Sequence, residues 1–117
     1  MKSPFLRRAN ESLKEAIADE VSRLKDPGLG FVTITGVDTA PDLRSAKVYY
    51  SVLGDEEEAE STARALERAK PHVRSEIGKR VRLKYLPELR FQPDYAIEHG
   101  LRIERLLAEI HEQEETG

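Results

Sequence analysis

The chain has 117 residues, a formal net charge of −3, 38% hydrophobic and 35% charged residues, and no cysteine. That length suits a single domain with a modest core. The missing cysteines exclude disulfides, thiolate metal sites and cysteine nucleophiles, and no apolar run approaches the ~18 residues of a membrane span.

The opening "MKSPFLRRANESLKEA" has no apolar stretch or cleavage pattern, so no secretion signal is expected. A cytoplasmic setting follows as the expectation. Leu6, Ala9, Leu13, Ala16, Ile17, Val21 and Leu24 recur at spacings of three and four, the inner face of an amphipathic helix. "KDPGLG" ends it, because Pro27 disfavours helical geometry at Asp26 and two glycines free the turn.

Two strands follow. "FVTITGV" alternates and is rich in β-branched residues. In "SAKVYYSVL", Ala46, Val48, Tyr50 and Val52 share one face and Lys47, Tyr49 and Ser51 the other. "DTAPDLR" suits a hairpin loop somewhat longer than a tight turn.

The acidic run "DEEEAE" opens a second helix, where carboxylates complement the positive end of the macrodipole. Ala59, Ala63, Leu66 and Ala69 predict its inner stripe, and Pro71 predicts its end. Proline is also welcome in a first turn. The expectation is therefore a kinked helix pair, broken at Ala69, Lys70 and Pro71. Val73, Ile77 and Val81 form the inner stripe of the second arm, with Arg74, Ser75, Lys79 and Arg82 outward. "RVRLKYL" alternates with period two and could be a strand. The helix is expected to end near Arg82 or Leu83.

"LRFQPDYAI" predicts a short third strand, near a sheet edge because of Pro93. A last helix is expected over "EHGLRIERLLAEIHEQEE", with Ile103, Leu106, Leu107 and Ile110 inward. Residues 1–113 are expected to form the domain and residues 114–117 a frayed acidic tail. The whole is an α+β chain of order α-β-β-α-α-β plus a C-terminal helix, a three-stranded sheet packed on helices.

Catalytic patterns are sparse. His72, His99 and His111 share no ligand spacing and read as surface residues, so no metal or other cofactor is expected. No glycine-rich phosphate loop is present. An enzyme, a small-molecule substrate and a membrane partner are not expected, and nothing suggests an obligate dimer.

Charge is the positive signal. From Arg64 to Arg90 the chain carries nine Lys/Arg against three Glu, while acids dominate on both sides. Such a cluster is the footprint of phosphate binding. The candidate RNA contacts are Arg64, Arg68, Lys70, Arg74, Lys79, Arg80, Arg82, Lys84 and Arg90. Aromatic residues make up only 6%, so few rings are free to stack bases. Tyr49 and Tyr85 are the plausible platforms. Recognition of a folded RNA by backbone and shape fits this composition better than sequence reading. The alternative is a protein-interaction module whose basic face meets an acidic protein.

The element order resembles that of the prokaryotic type II KH domain, an RNA-binding fold. The usual Gly-x-x-Gly loop of KH domains is absent at the helix–helix joint, where "RAKPHVRSEIGKRVRLKYLPELRF" stands. That segment resembles the bacterial ribosome-binding factor A family, with its helix, kink, helix and basic exit into Pro-Glu-Leu-x-Phe. "LKDPGLGFVTITGV", "DLRSAKVYYSVLG" and "LPELRFQPDYAIEHGLRIERLL" also resemble family segments, in the family's order. One departure is that the family's Ala-x-Gly kink reads Ala69-Lys70-Pro71 here. The resemblance implies a non-enzymatic assembly factor. Its partners would be the small ribosomal subunit and its rRNA, near the rRNA 5′ region and the decoding area, late in maturation. It would support rRNA processing and growth in the cold, and leave before translation.

Overall fold

The structure is a computed structural model that describes residues 3–96 and 107–110. The elements, in chain order, are α1 (Pro4–Ser22), β1 (Phe31–Thr39), β2 (Ser45–Leu53), α2 (Glu56–Arg80) and β3 (Glu88–Pro93). The sheet order is β1-β2-β3.

Helix α1 starts where its local chemistry demands. The Ser3 hydroxyl accepts from the Leu6 N–H at 3.2 Å, and Pro4 fills a position whose N–H would have no helical partner. The expected stripe of Ala9, Leu13, Ala16, Ile17 and Val21 is buried. Leu24 falls beyond the helix end but still packs against the core. Asp26 Oδ1 accepts from the Gly28 N–H at 2.9 Å, which fixes the turn that follows.

Strands β1 and β2 pair antiparallel, with a register shift between Ile34 and Gly36. Strict alternation after Val32 and Ile34 would bring Gly36 to the inner face. The bulge at Thr35 hands those positions to Val37 and Thr39, which are buried. On β2, Ala46, Val48 and Tyr50 are buried as their alternation requires. Strand β3 runs parallel to β2, from Ser45↔Glu88 to Tyr50↔Pro93. It forms a sheet edge and stops at Pro93, short of the expected Ile97.

The helix pair expected around Pro71 is one element. Helix α2 runs from Glu56 to Arg80 with Pro71 inside it. His72 therefore lies within the helix and not at the start of a new one. A proline there removes one hydrogen bond and crowds the preceding turn, at a cost of about 3 kcal/mol. Packing overrides that penalty. Thr62, Leu66, Val73 and Ile77 are fully buried, and they stay in phase with a single 3.6-residue period across the proline. Both arms are thus held against the same core. The inner face also differs from the expected alanine stripe: Thr62 and Ala65 are buried, whereas Ala59, Ala63 and Ala69 are only half-buried. The helix ends at Arg80, two or three residues earlier than expected, with Val81 extended (φ −112, ψ 126).

Both helices pack against one face of the sheet, around Leu13, Ile17, Val48, Leu66, Val73, Ile77 and Leu89. Phe91 meets Tyr50 edge-on, ring centroids 6.5 Å apart. Two side chains tie the ends of β1 to the helices. Thr62 Oγ1 accepts from the Gly30 N–H at 2.9 Å, and Asn10 Oδ1 accepts from the Thr39 N–H at 2.8 Å. Of the expected last helix, residues 107–110 are described and are helical. Leu107 and Ile110, expected inward, are exposed. Ile103, Leu106 and the acidic tail lie outside the described residues.

Candidate nucleic-acid interface

The basic run folds into regions with different chemistry. Towards α1, its cations are engaged. Arg68 grips Asp26 through Nε and Nη2 at 3.0–3.1 Å. Asp26 sits below its ordinary carboxylate range, first because the Gly28 N–H donates to it and then because Arg68 lies beside it. Arg80 reaches Asp19 at 2.6 Å and Glu20 at 3.0 Å. Those hydrogen bonds, Asp19's foremost, raise its already high pKa. Glu20 is only 6% exposed, so Arg80 neutralises a buried carboxylate.

Two lysines make local pairs on the helix surface. Lys70 meets Glu67 at 2.8 Å and Lys79 meets Glu76 at 3.0 Å, both at i,i+3. The Lys79 ammonium, by hydrogen bond and by charge, lowers the Glu76 pKa. Solvent-screened pairs of neighbouring turns contribute little to stability, so an incoming phosphate can replace the carboxylate. Arg64 is placed otherwise. It lines a groove with Asp55, Glu57 and Glu58, an acidic setting that does not favour a phosphate.

Residues 81–87 hold the exposed cations. Val81 and Leu83 turn inward and pack on the core, while Arg82 and Lys84 stand out in solvent. The alternation of "RVRLKYL" is thus real, but it belongs to an extended connection and not to a strand. Three features pin it. Pro87 is fully buried. Arg74 donates to the Leu86 carbonyl at 2.8 Å and to the Pro87 carbonyl at 3.1 Å. Gly78 lets Leu86 lie close to α2: a Cβ there would stand 3.2 Å from Leu86 Cδ2. Arg74 therefore positions the connection. Among the described residues neither Arg82 nor Lys84 has a carboxylate partner; the Lys84 ammonium lies 5.6 Å from the Tyr85 ring centroid.

Arg90 points away from this surface. Leu89 and Phe91 face the core, so Arg90 shares the opposite face of the sheet with Lys47, its cross-strand neighbour, and Tyr49. The expected single patch is accordingly divided. Arg82 and Lys84 stand on the exit from α2 and Lys79 in its last turn, Arg74 supports the exit, Lys70 lies mid-helix on the side opposite Lys79, and Arg64, Arg68, Arg80 and Arg90 lie elsewhere or are committed. Sequence reading missed Arg8. It lies outside the basic run, yet it lines a groove with Arg80 and Arg82. Its position beside buried Ala9 on the α1 wheel was the available signal. Among the described residues no three His, Cys, Asp or Glu side chains are grouped to hold a metal. No described helix is long and apolar enough to cross a membrane.

The mixed three-stranded sheet, the helices on one face and the pinned basic connection define a KH-like α+β domain. Residues 6–107 match the family described as ribosome-binding factor A. The chain is 51% identical to the ribosome-binding factor A of a Desulfitobacterium hafniense strain, over 92% of this chain and 87% of that protein. It is 44% identical to that of Staphylococcus carnosus, over 92% and 94%. The crystal structure of ribosome-binding factor A from Thermus thermophilus superposes with a TM-score of 0.69 at 33% identity, covering 75% of this chain and 94% of that one. A Thermus thermophilus homology model fitted into a cryo-electron microscopy map of a 30S complex gives 0.61 at 34% identity, covering 79% and 93%. This chain belongs to the ribosome-binding factor A family.

Proposed function

We propose that this protein is a non-enzymatic assembly factor that binds the small ribosomal subunit through its rRNA. It acts as a cytoplasmic monomer during late maturation, assists processing of the rRNA 5′ end, supports growth in the cold and leaves before translation. The observation that carries the reading is the pinned connection, with Arg82 and Lys84 held outward in a family whose Thermus relative has been fitted into a 30S complex. Two exposed cations without a carboxylate partner among the described residues suit phosphates, because folding has already fixed the backbone that carries them and only their side chains remain to be ordered. Lys79, in the last turn of α2, extends the contact by exchanging a weak local partner for phosphate. Sedimentation tests the reading. The protein should travel with free small subunits and be absent from translating ribosomes; equal occupancy of both, or of neither, contradicts it.

A further inference from the structure

A groove of about 450 Å³ runs between the first half of α1 and the start of the exit connection. Its floor is apolar, made by Ala9, Ala16, Val81 and Leu83. Its rim carries Arg8, Arg82, Ser12 and Phe5. Phe5 and Arg8 are one helical turn apart and so share a face. Phe5 is 57% exposed, on a protein whose aromatic residues are few. Arg80 also borders the groove but is committed to Asp19 and Glu20. Arg8 and Arg82 have no carboxylate partner among the described residues, although Glu15 stands on the same rim.

We infer that this groove holds one unpaired nucleotide of an RNA strand, its base against Phe5 and its phosphate between Arg8 and Arg82. The inference deepens the proposed function and rests on it for the identity of the RNA. Two features favour RNA over an acidic peptide, beyond the guanidinium forks, which pair with phosphate and carboxylate oxygens alike. An exposed ring beside them offers a base a stacking surface, the combination by which single strands are held. Glu15 opposes either anion, but its carboxylate can accept a hydrogen bond from a base amino group, a donor that the side chains of an acidic peptide lack. The volume admits one nucleotide unit and not a duplex. Because Arg82 serves both this groove and the exit surface, the strand would enter here from rRNA already held at residues 81–87.

The probe is a fluorescein-labelled eight-residue oligocytidylate, whose bases carry an amino donor, measured by anisotropy with the full chain. Phe5→Ala should weaken binding about tenfold, the scale of one lost base–ring stack. Arg8→Ala should lower the slope of log K against log salt by about 0.7, as one lost single-strand phosphate requires. Both side chains are exposed, and unchanged melting temperatures would confirm intact folds. If the intact variants bind the oligonucleotide like wild type, the inference is overturned. A hexaglutamate peptide that binds the groove more tightly than the oligonucleotide overturns it in favour of a protein partner. Small-subunit sedimentation separates the two claims. Wild type that sediments with subunits while Phe5→Ala and Arg8→Ala leave oligonucleotide binding unchanged refutes the groove alone. Groove-dependent oligonucleotide binding without subunit association refutes the proposed function and leaves the groove.

Discussion

Two neighbouring parts of one basic run stand in opposite surroundings. Arg68 and Arg80 turn towards α1 and the loop after it, where Asp26, Asp19 and Glu20 receive them. Arg82 and Lys84, only a few residues on, find no carboxylate among the described residues and face solvent from a connection that Arg74 fixes. The first pair of cations joins elements of the fold. The second is left available for a partner. A count of lysines and arginines does not distinguish them; the location of the acids does.

The comparison can be broken from its binding side. Arg82→Glu with Lys84→Glu should reduce small-subunit affinity by about 100-fold, two charge-assisted contacts being lost, with no change in melting temperature. Equilibrium binding by sedimentation reads the first and circular dichroism the second. A fall in stability would show that these cations also serve the fold.

From the structural side, Arg80→Ala should give the largest loss of thermal stability among the cation variants, because it strands the buried Glu20 carboxylate. Adding Glu20→Gln should recover part of that loss in a melting experiment. If Arg80→Ala melts like wild type, the assignment of Arg80 to the fold is mistaken.

Pro71→Ala sharpens the account of α2. The buried stripe already runs in phase across the proline, so the substitution should stabilise the protein by about 1–3 kcal/mol in urea unfolding. Destabilisation would mean that the packing requires the bend proline imposes. The smallest expected effect concerns acid. Asp26 and Glu76 are both held below their ordinary values of 3.8 and 4.5. A carboxylate with a depressed folded pKa contributes its stability above the unfolded value and loses it as pH falls through the folded one. Arg68→Ala removes only Asp26's second partner, since the Gly28 N–H remains. Its deficit relative to wild type should be small at pH 7 and shrink as the pH falls below Asp26's ordinary value of 3.8, as urea titrations on either side of it would show.

Periodicity made α1 and the β1–β2 hairpin legible, because each buries one face of a regular element. The bulge at Thr35 went unread although "FVTITGV" carries its mark: Gly36 falls on the face of Val32 and Ile34, and Val37 is out of phase with them. The expected break at Pro71 failed for a related reason. A local rule about proline was applied without the partner surface that holds both arms. Thr62 was missed because its hydroxyl looked polar; its burial depends on the Gly30 N–H, 32 residues away. In the candidate site, charge density was readable but its neutralisation was not. The acids that engage Arg68 and Arg80 lie 42 and 60–61 residues earlier in the chain.

The most direct test measures small-subunit affinity as a function of salt for two double variants, Arg82→Ala with Lys84→Ala and Arg64→Ala with Arg68→Ala. The account predicts a weaker complex and a shallower salt dependence for the first, and wild-type values for the second. The reverse pattern, or equal losses in both, would contradict the division of labour proposed for these cations.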